Sequence, residues 1–164
     1  MKKILLLSDT HNHIDENILN YCRKSDEVWH AGDIGNEDVT NKIKEVTKLR
    51  AVFGNIDGTK LRSEFPLDNI FTIENVKVWI THIGGYPNRY ESRIKKEIEN
   101  ISPDLFISGH SHILKVQFDK KNNLLHMNPG AAGIYGLHKS RTMLRFKIDG
   151  NEIKNLEVIE IKKK

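Results

Sequence analysis

EVWHAGDIGNEDVTNKIKEVTKLRAVFGNID, residues Glu27–Asp57, decides how the rest of the chain is read. Its first part, EVWHAGD, is a short apolar run that stops at the glycine of a turn. In EDVTNKIKEVTK, Val39, Ile43 and Val46 then recur at the spacing of one helical face. LRAVFGNID is a second apolar run that also stops at a glycine turn. A strand, a helix and a strand in this order imply a parallel pair joined by a crossover helix. Upstream, KILLL reads as another buried strand ending at Ser8-Asp9, and ENILNYCRK places Ile18, Leu19 and Cys22 on one helix face. The first half therefore predicts a βαβαβ unit with a mostly parallel sheet.

Downstream the pattern changes. IFTIENVKVWITH reads as two strands about a tight Glu74-Asn75 turn, and RYESRIKKEIEN reads as a helix closed by Ser102-Pro103. LFISGH is a further strand, while LKVQFDKKNNLLHMNPG and TMLRFKIDGNEIKNLEVIEI are hairpin patterns turning at KKNN and DGNE. No linker or repeat divides the chain, so one α/β domain over residues 1–164 is expected. Its second half should contribute antiparallel strands, in a second sheet packed on the first.

With 164 residues, 38% hydrophobic and 29% charged, the composition suits an ordinary globular protein with a real core. No apolar run is long enough to span a bilayer. MKKILLLSDTH opens like a signal peptide, but its apolar run is short and Asp9 follows without a cleavage site, so a cytoplasmic protein is expected. Cys22 is the single cysteine and reads as a small core side chain rather than a catalytic thiol. The net charge of +4 comes from dispersed lysines, which argues against a nucleic-acid surface.

The chemistry gathers where the strands end. In α/β proteins functional groups collect at the carboxyl ends of strands. Here the successive ends carry Asp9-x-His11, Gly32-Asp33, Gly54-Asn55, His82, and His110-x-His112. Each alone is weak; together they form one cluster with more ligands than a single ion needs. Aspartate, asparagine and histidine without cysteine suit divalent Mn²⁺, Fe²⁺, Ni²⁺ or Zn²⁺, with Mn²⁺ the first expectation. Two such ions can clamp both sides of an in-line phosphoryl displacement.

SDTH, HAGDIG, GNID, TH and GHSH, in this order, resemble the signature of the calcineurin-like metallophosphoesterases, and the short chain is similar to their small bacterial and archaeal phosphodiesterases of the YfcE type. The likeness runs from Asp9 to about Gly130, where NPGA resembles that group's NPGS. It implies a two-sheet α/β sandwich flanked by helices. It implies that Asp9, His11, Asp33 and His112 bind one ion and that Asp33, Asn55, His82 and His110 bind the other, with Asp33 bridging. It implies hydrolysis of a small phosphodiester by a hydroxide held between the ions. The alternatives are a protein-binding scaffold, as in the retromer subunit with this fold, or a nuclease.

Three departures from the pattern stand out. Many relatives carry a histidine after Gly-Asn, where this chain has Ile56. HIGGYPNRY replaces the usual HG, and AGIYGLHKSR after NPGA is longer and richer in glycine than expected. The rebuilt loops, 83–90 and 131–141, are expected to meet over the metals, with Tyr86 near them and Arg89 or Arg141 binding a phosphate oxygen. Otherwise they face solvent or form a homo-oligomer interface. Proton donation to the leaving group would fall to water, His138 or His30, and His30 could equally orient a ligand or sit in the core. Asp57 either supports a ligand or holds its turn, His13 lies at the rim, His126 reads as structural, and Lys139 belongs to an exposed basic loop.

Overall fold

Strand β1 (Lys2–Leu7) shows why the fold has four layers. Ile4 and Leu6 enter one hydrophobic core while Leu5 and Leu7 enter another. A strand covered on both faces reads as a continuous apolar run. The computed structural model describes residues 1–163. In it β1 is followed by α1 (Glu16–Arg23), β2 (Glu27–His30), α2 (Glu37–Lys44), β3 (Lys48–Ala51) and α3 (Thr59–Glu64). Then come β4 (Asp68–Ile73), β5 (Val76–Thr81), β6 (Gly85–Tyr86), β7 (Arg89–Tyr90), α4 (Ser92–Ile101) and β8 (Leu105–Ile107). The chain finishes with β9 (Leu114–Asp119), β10 (Leu124–Pro129), β11 (Ser140–Asp149) and β12 (Glu152–Lys162).

Two five-stranded sheets, ordered β12-β11-β1-β2-β3 and β4-β5-β8-β10-β9, pack face to face. Ile4, Leu6, Trp29 and Val52 of the first meet Val78, Ile80, Ile107 and Met127 of the second. Helices α1, α2 and α3 cover the outer face of the first sheet through Ile18, Cys22, Ile43 and Leu61. Helix α4 covers the second through Ile94 and Ile98 on Trp79 and Phe106. The Asp15 side chain caps α1 at the Ile18 N–H and Asn36 caps α2 at the Val39 N–H, contacts worth about 1 kcal/mol each. Among the described residues no helix is long and apolar enough to cross a membrane.

The α/β sandwich is as expected, with three corrections. The β11–β12 hairpin does not enter the second sheet: β11 pairs antiparallel with β1, Ile4 facing Phe146 and Leu6 facing Leu144. The choice is tertiary, because β1 has a free edge whose apolar face continues in β11. The second sheet is also parallel at its centre, β5 with β8 through the α4 crossover, and β8 with β10, which the chain reaches by way of the edge strand β9. HIGGYPNRY, expected as a loop, contains the small β6–β7 hairpin.

Candidate metal centre

Every proposed ligand lies just beyond a strand end of one or other sheet. Asp9 and His11 follow β1, Asp33 follows β2, Asn55 follows β3, His82 follows β5, and His110 and His112 follow β8. Because all these ends lie at one edge of the sandwich, residues distant in sequence converge. They form two groups, Asp9–His11–His112 and Asp33–His82–His110, with the ligand atoms of each group within 4.8 Å of one another.

Asp33 Oδ2 stands between the groups, 3.4 Å from His11 Nε2 and 3.2 Å from His82 Nε2. Asp9 Oδ1 lies 3.2 Å from His112 Nε2, 3.8 Å from His11 Nε2 and 3.9 Å from His82 Nε2. Asn55 Oδ1 lies 3.1 Å from His110 Nδ1. Asp9 Oδ1, His11 Nε2 and His82 Nε2 are buried without a hydrogen-bond partner. Converging lone pairs that find no protein donor fit divalent cations, so the side chains present match a dinuclear site. The electrostatics agree. Burial pushes the Asp9 carboxyl up, but the adjacent His11, His112 and His82 rings outweigh it and hold it well below the usual range. Burial likewise opposes ionisation of Asp33, and the adjacent His82 ring reverses it. At His82 burial disfavours protonation, and Asp33 and Asp9 overcome it. The site therefore favours positive charge at its centre.

The scaffold around the ligands is rigid. Each carboxylate anchors its second oxygen: Asp9 Oδ2 accepts from Ser8 Oγ at 2.6 Å and from the His110 N–H at 3.2 Å, and Asp33 Oδ1 accepts from the Ile56 N–H at 3.1 Å. His82 Nδ1–H donates to the Ala31 carbonyl at 2.7 Å, which leaves Nε2 as the lone pair facing the carboxylates. Asp9, His11, Asp33, His110 and His112 all have positive φ. Such backbone in non-glycine residues costs of order 1–3 kcal/mol each and persists where its surroundings enforce it, commonly at functional sites. At Gly54 a β-carbon would lie 2.2 Å from Asp33 Oδ1, so only glycine lets that turn close on the carboxylate.

Sequence reading missed the residues that fix these turns. Buried Asn128 donates to the Gly109 carbonyl at 3.0 Å and to Ser111 Oγ at 3.1 Å, and accepts from the Gly130 N–H at 2.9 Å. Its only sequence signal is the NPGA segment. Asn128→Ala is expected to weaken ion binding at the His110 side by about 10–100-fold, the usual cost of losing support behind a ligand. A metal titration checks this, and unchanged affinity would remove Asn128 from the site's support. Asp57 holds its turn, accepting from the backbone N–H groups of Ile34, Gly35 and Gly54.

Several expected roles change. His30 is fully buried, its Nδ1 accepts from the Gly32 N–H, and its Nε2–H is committed to Thr10 Oγ1. That chain pins the β1 and β2 turns together and leaves no proton for a leaving group. His138 Nε2–H donates to the Gly133 carbonyl at 2.8 Å while its ring packs edge-on against His112. Burial also lowers its pKa, so direct proton donation does not follow from its position. Arg141 is buried and paired with Asp15 at 2.9 Å, with Nε on the Ala132 carbonyl, so it braces α1 rather than a phosphate. Arg89 is exposed on β7. His13 pairs with Asp15 at 2.8 Å. The rebuilt loops lie beside different members of the cluster. Tyr135 lies against His11 and His138 against His112, while residues 83–86 line a cavity with His110.

A sequence profile of the calcineurin-like phosphoesterase superfamily domain matches residues 1–151. The chain belongs to that superfamily. It is 26% identical over 153 residues to a probable metallophosphoesterase of Methanothermobacter thermautotrophicus, covering 90% of this chain and 87% of the relative. Among solved structures it resembles wild-type Vps29 of Entamoeba histolytica complexed with Zn²⁺, with TM-score 0.74, 15% identity and 99% of each chain covered. It also resembles a protein described as a novel archaeal phosphodiesterase, with TM-score 0.73, 23% identity, and 97% of this chain and 99% of that one covered. At these identities the structural likeness establishes the fold. Membership of the superfamily places this phosphoesterase among metal-dependent hydrolases of phosphoric esters.

Proposed function

We propose that the protein is a dinuclear-metal phosphodiesterase acting on a small phosphodiester by in-line displacement. The observation that supports this best is Asp33 Oδ2, placed between a histidine of each ligand group at 3.4 and 3.2 Å. In this reading Asp9, His11 and His112 hold one ion, Asn55, His82 and His110 hold the other, and Asp33 bridges. When bound, two divalent ions activate water as a nucleophile at neutral pH and neutralise charge on the phosphoryl oxygens. The ligand side chains fix where the phosphoryl group sits, and the anchored carboxylate oxygens keep the site from reorganising as charge develops. Ile56 is exposed and carries no proton, and His30 and His138 spend theirs on Thr10 and Gly133, so the departing group leaves with a proton from water. Esters with good leaving groups are therefore the favoured substrates.

Turnover of bis(4-nitrophenyl) phosphate is expected to vanish in EDTA and return with Mn²⁺, with Ni²⁺, Fe²⁺ and Zn²⁺ compared as the other ions the donor set accepts. Hydrolysis that persists in metal-free protein would refute the mechanism. A binding role on the same fold is the second reading, supported by Ile134, Tyr135 and Leu137, apolar side chains exposed on the loop beside His11 and His112. Full metal loading without hydrolysis of any phosphodiester would favour it.

A further inference from the structure

Beside the metal centre lies a cavity of about 280 Å³. Its walls include Ile83, Tyr86, His110, Ile113 and His126. His110 thus faces both the ligand cluster and this cavity. Ile83, Tyr86 and Ile113 are large apolar side chains left exposed around it. Lys115 holds its ammonium 4.9 Å from the centre of the Tyr86 ring, which steadies that wall.

His126 is the informative residue. It is fully buried, and its Nδ1–H donates to the Phe106 carbonyl at 3.1 Å. Its Nε2 is buried with no partner. Burial pushes the ring's pKa down to about 4, so at neutral pH the imidazole is uncharged and Nε2 is an acceptor. Nearby Asn128 supplies no donor, because both its amide hydrogens are taken by the Gly109 carbonyl and Ser111 Oγ. A buried acceptor without a donor is destabilising, which makes it a recognition element for a ligand that brings the hydrogen.

We propose that this cavity is a subsite for a flat, amino-bearing heteroaromatic group, such as an adenine-type base, carried by the phosphodiester whose phosphoryl group lies at the metals. Ile83, Tyr86 and Ile113 enclose its faces, and His126 Nε2 accepts its amino hydrogen. Apolar side chains with a few convergent polar groups, here His126 together with Glu91, Ser111 and Lys115 lining the same cavity, are the usual make-up of a small-molecule site. The subsite rests on the phosphodiesterase reading for its link to catalysis, but binding of the base alone does not.

The test uses the full chain loaded with Mn²⁺, titrated calorimetrically with adenosine and with N6,N6-dimethyladenosine, which lacks the amino hydrogens. Adenosine is expected to bind at least about tenfold more tightly, the scale of one hydrogen bond to a buried acceptor. The ¹⁵N resonance of His126 Nε2 should shift with adenosine only. His126→Phe should erase the preference between the nucleosides, and Tyr86→Ala, a rim change that spares the interior, should weaken both alike. Equal affinities, or no adenosine binding, would overturn the subsite. Hydrolysis of bis(4-nitrophenyl) phosphate is followed in parallel. Hydrolysis without adenosine binding sinks the subsite alone, whereas binding without hydrolysis sinks the phosphodiesterase reading and leaves the subsite standing.

Discussion

Asp33→Asn is expected to lower phosphodiester turnover by about 10³-fold, or 4 kcal/mol of transition-state stabilisation, and to loosen both ions while the protein stays folded. The asymmetry follows from the two oxygens. Oδ1 serves the fold by accepting from the Ile56 N–H, and an asparagine carbonyl can still do so. Oδ2 is the oxygen that would serve the proposed ions, lying 3.4 Å from His11 Nε2 and 3.2 Å from His82 Nε2. An amide placed there brings N–H groups that donate to those same lone pairs and compete with a cation. The substitution relieves the repulsion from Asp9 but also removes the charge that His82 stabilises, which is the larger effect. The metal-free variant should therefore stay folded and melt somewhat below the metal-free parent. Turnover, metal titration and thermal melting read the three effects. Near-normal turnover with two ions bound would show that Asp33 does not bridge.

Metal-free protein is expected to lose stability as the pH falls from about 6.5 toward 4. His30 and His126 are fully buried, and burial depresses each from an ordinary 6.5 to about 4. Asp57, Asp9 and Asp33 oppose the shift at His30, and the Phe106 carbonyl opposes it at His126, without reversing it. The sign is set by the unfolded chain, which takes up these protons near pH 6.5 while the folded chain resists until about 4. The stabilisation is complete above that window and lost as pH falls through it, by about 3 kcal/mol per histidine. His82 acts in the opposite direction, because its raised pKa adds stability as it protonates. Below the window, Asp9 and Asp33, held low by their histidine partners, add a further acid loss. Urea unfolding in EDTA at several pH values measures the slope. His126→Asn should remove a large part of it, and a stability that stays flat between pH 7 and 4.5 would refute the burial argument.

The elements legible in the chain were those whose signals are local. Val39 and Ile43 at helical spacing, and the runs KILLL, EVWH and LFI, reflect side-chain periods that any window of sequence displays. The accumulation of Asp9, His11, Asp33, Asn55, His82, His110 and His112 at strand ends was legible for the same reason, since a parallel sheet delivers its strand ends to one edge. Helix α3 was not, because Thr59–Glu64 is short and buries only Leu61.

The sequence by itself determined the α/β class, the order of the first strands and helices, and the identity of the residues able to hold cations. Tertiary structure decided the rest. It decided that β11 closes on β1, because pairing between distant strands depends on which edge stays open. It decided that Asp9, His11 and His112 stand together and that Asp33, His82 and His110 do, with Asp33 Oδ2 facing both. It decided that His30 points into a buried chain with Thr10 and Gly32, that Arg141 answers Asp15, and that His126 keeps an unshared lone pair beside a cavity. Residue type states what a side chain can donate or accept. Which partner it meets depends on backbone direction and long-range packing, and at this site on five ligands held at positive φ, which no local pattern encodes.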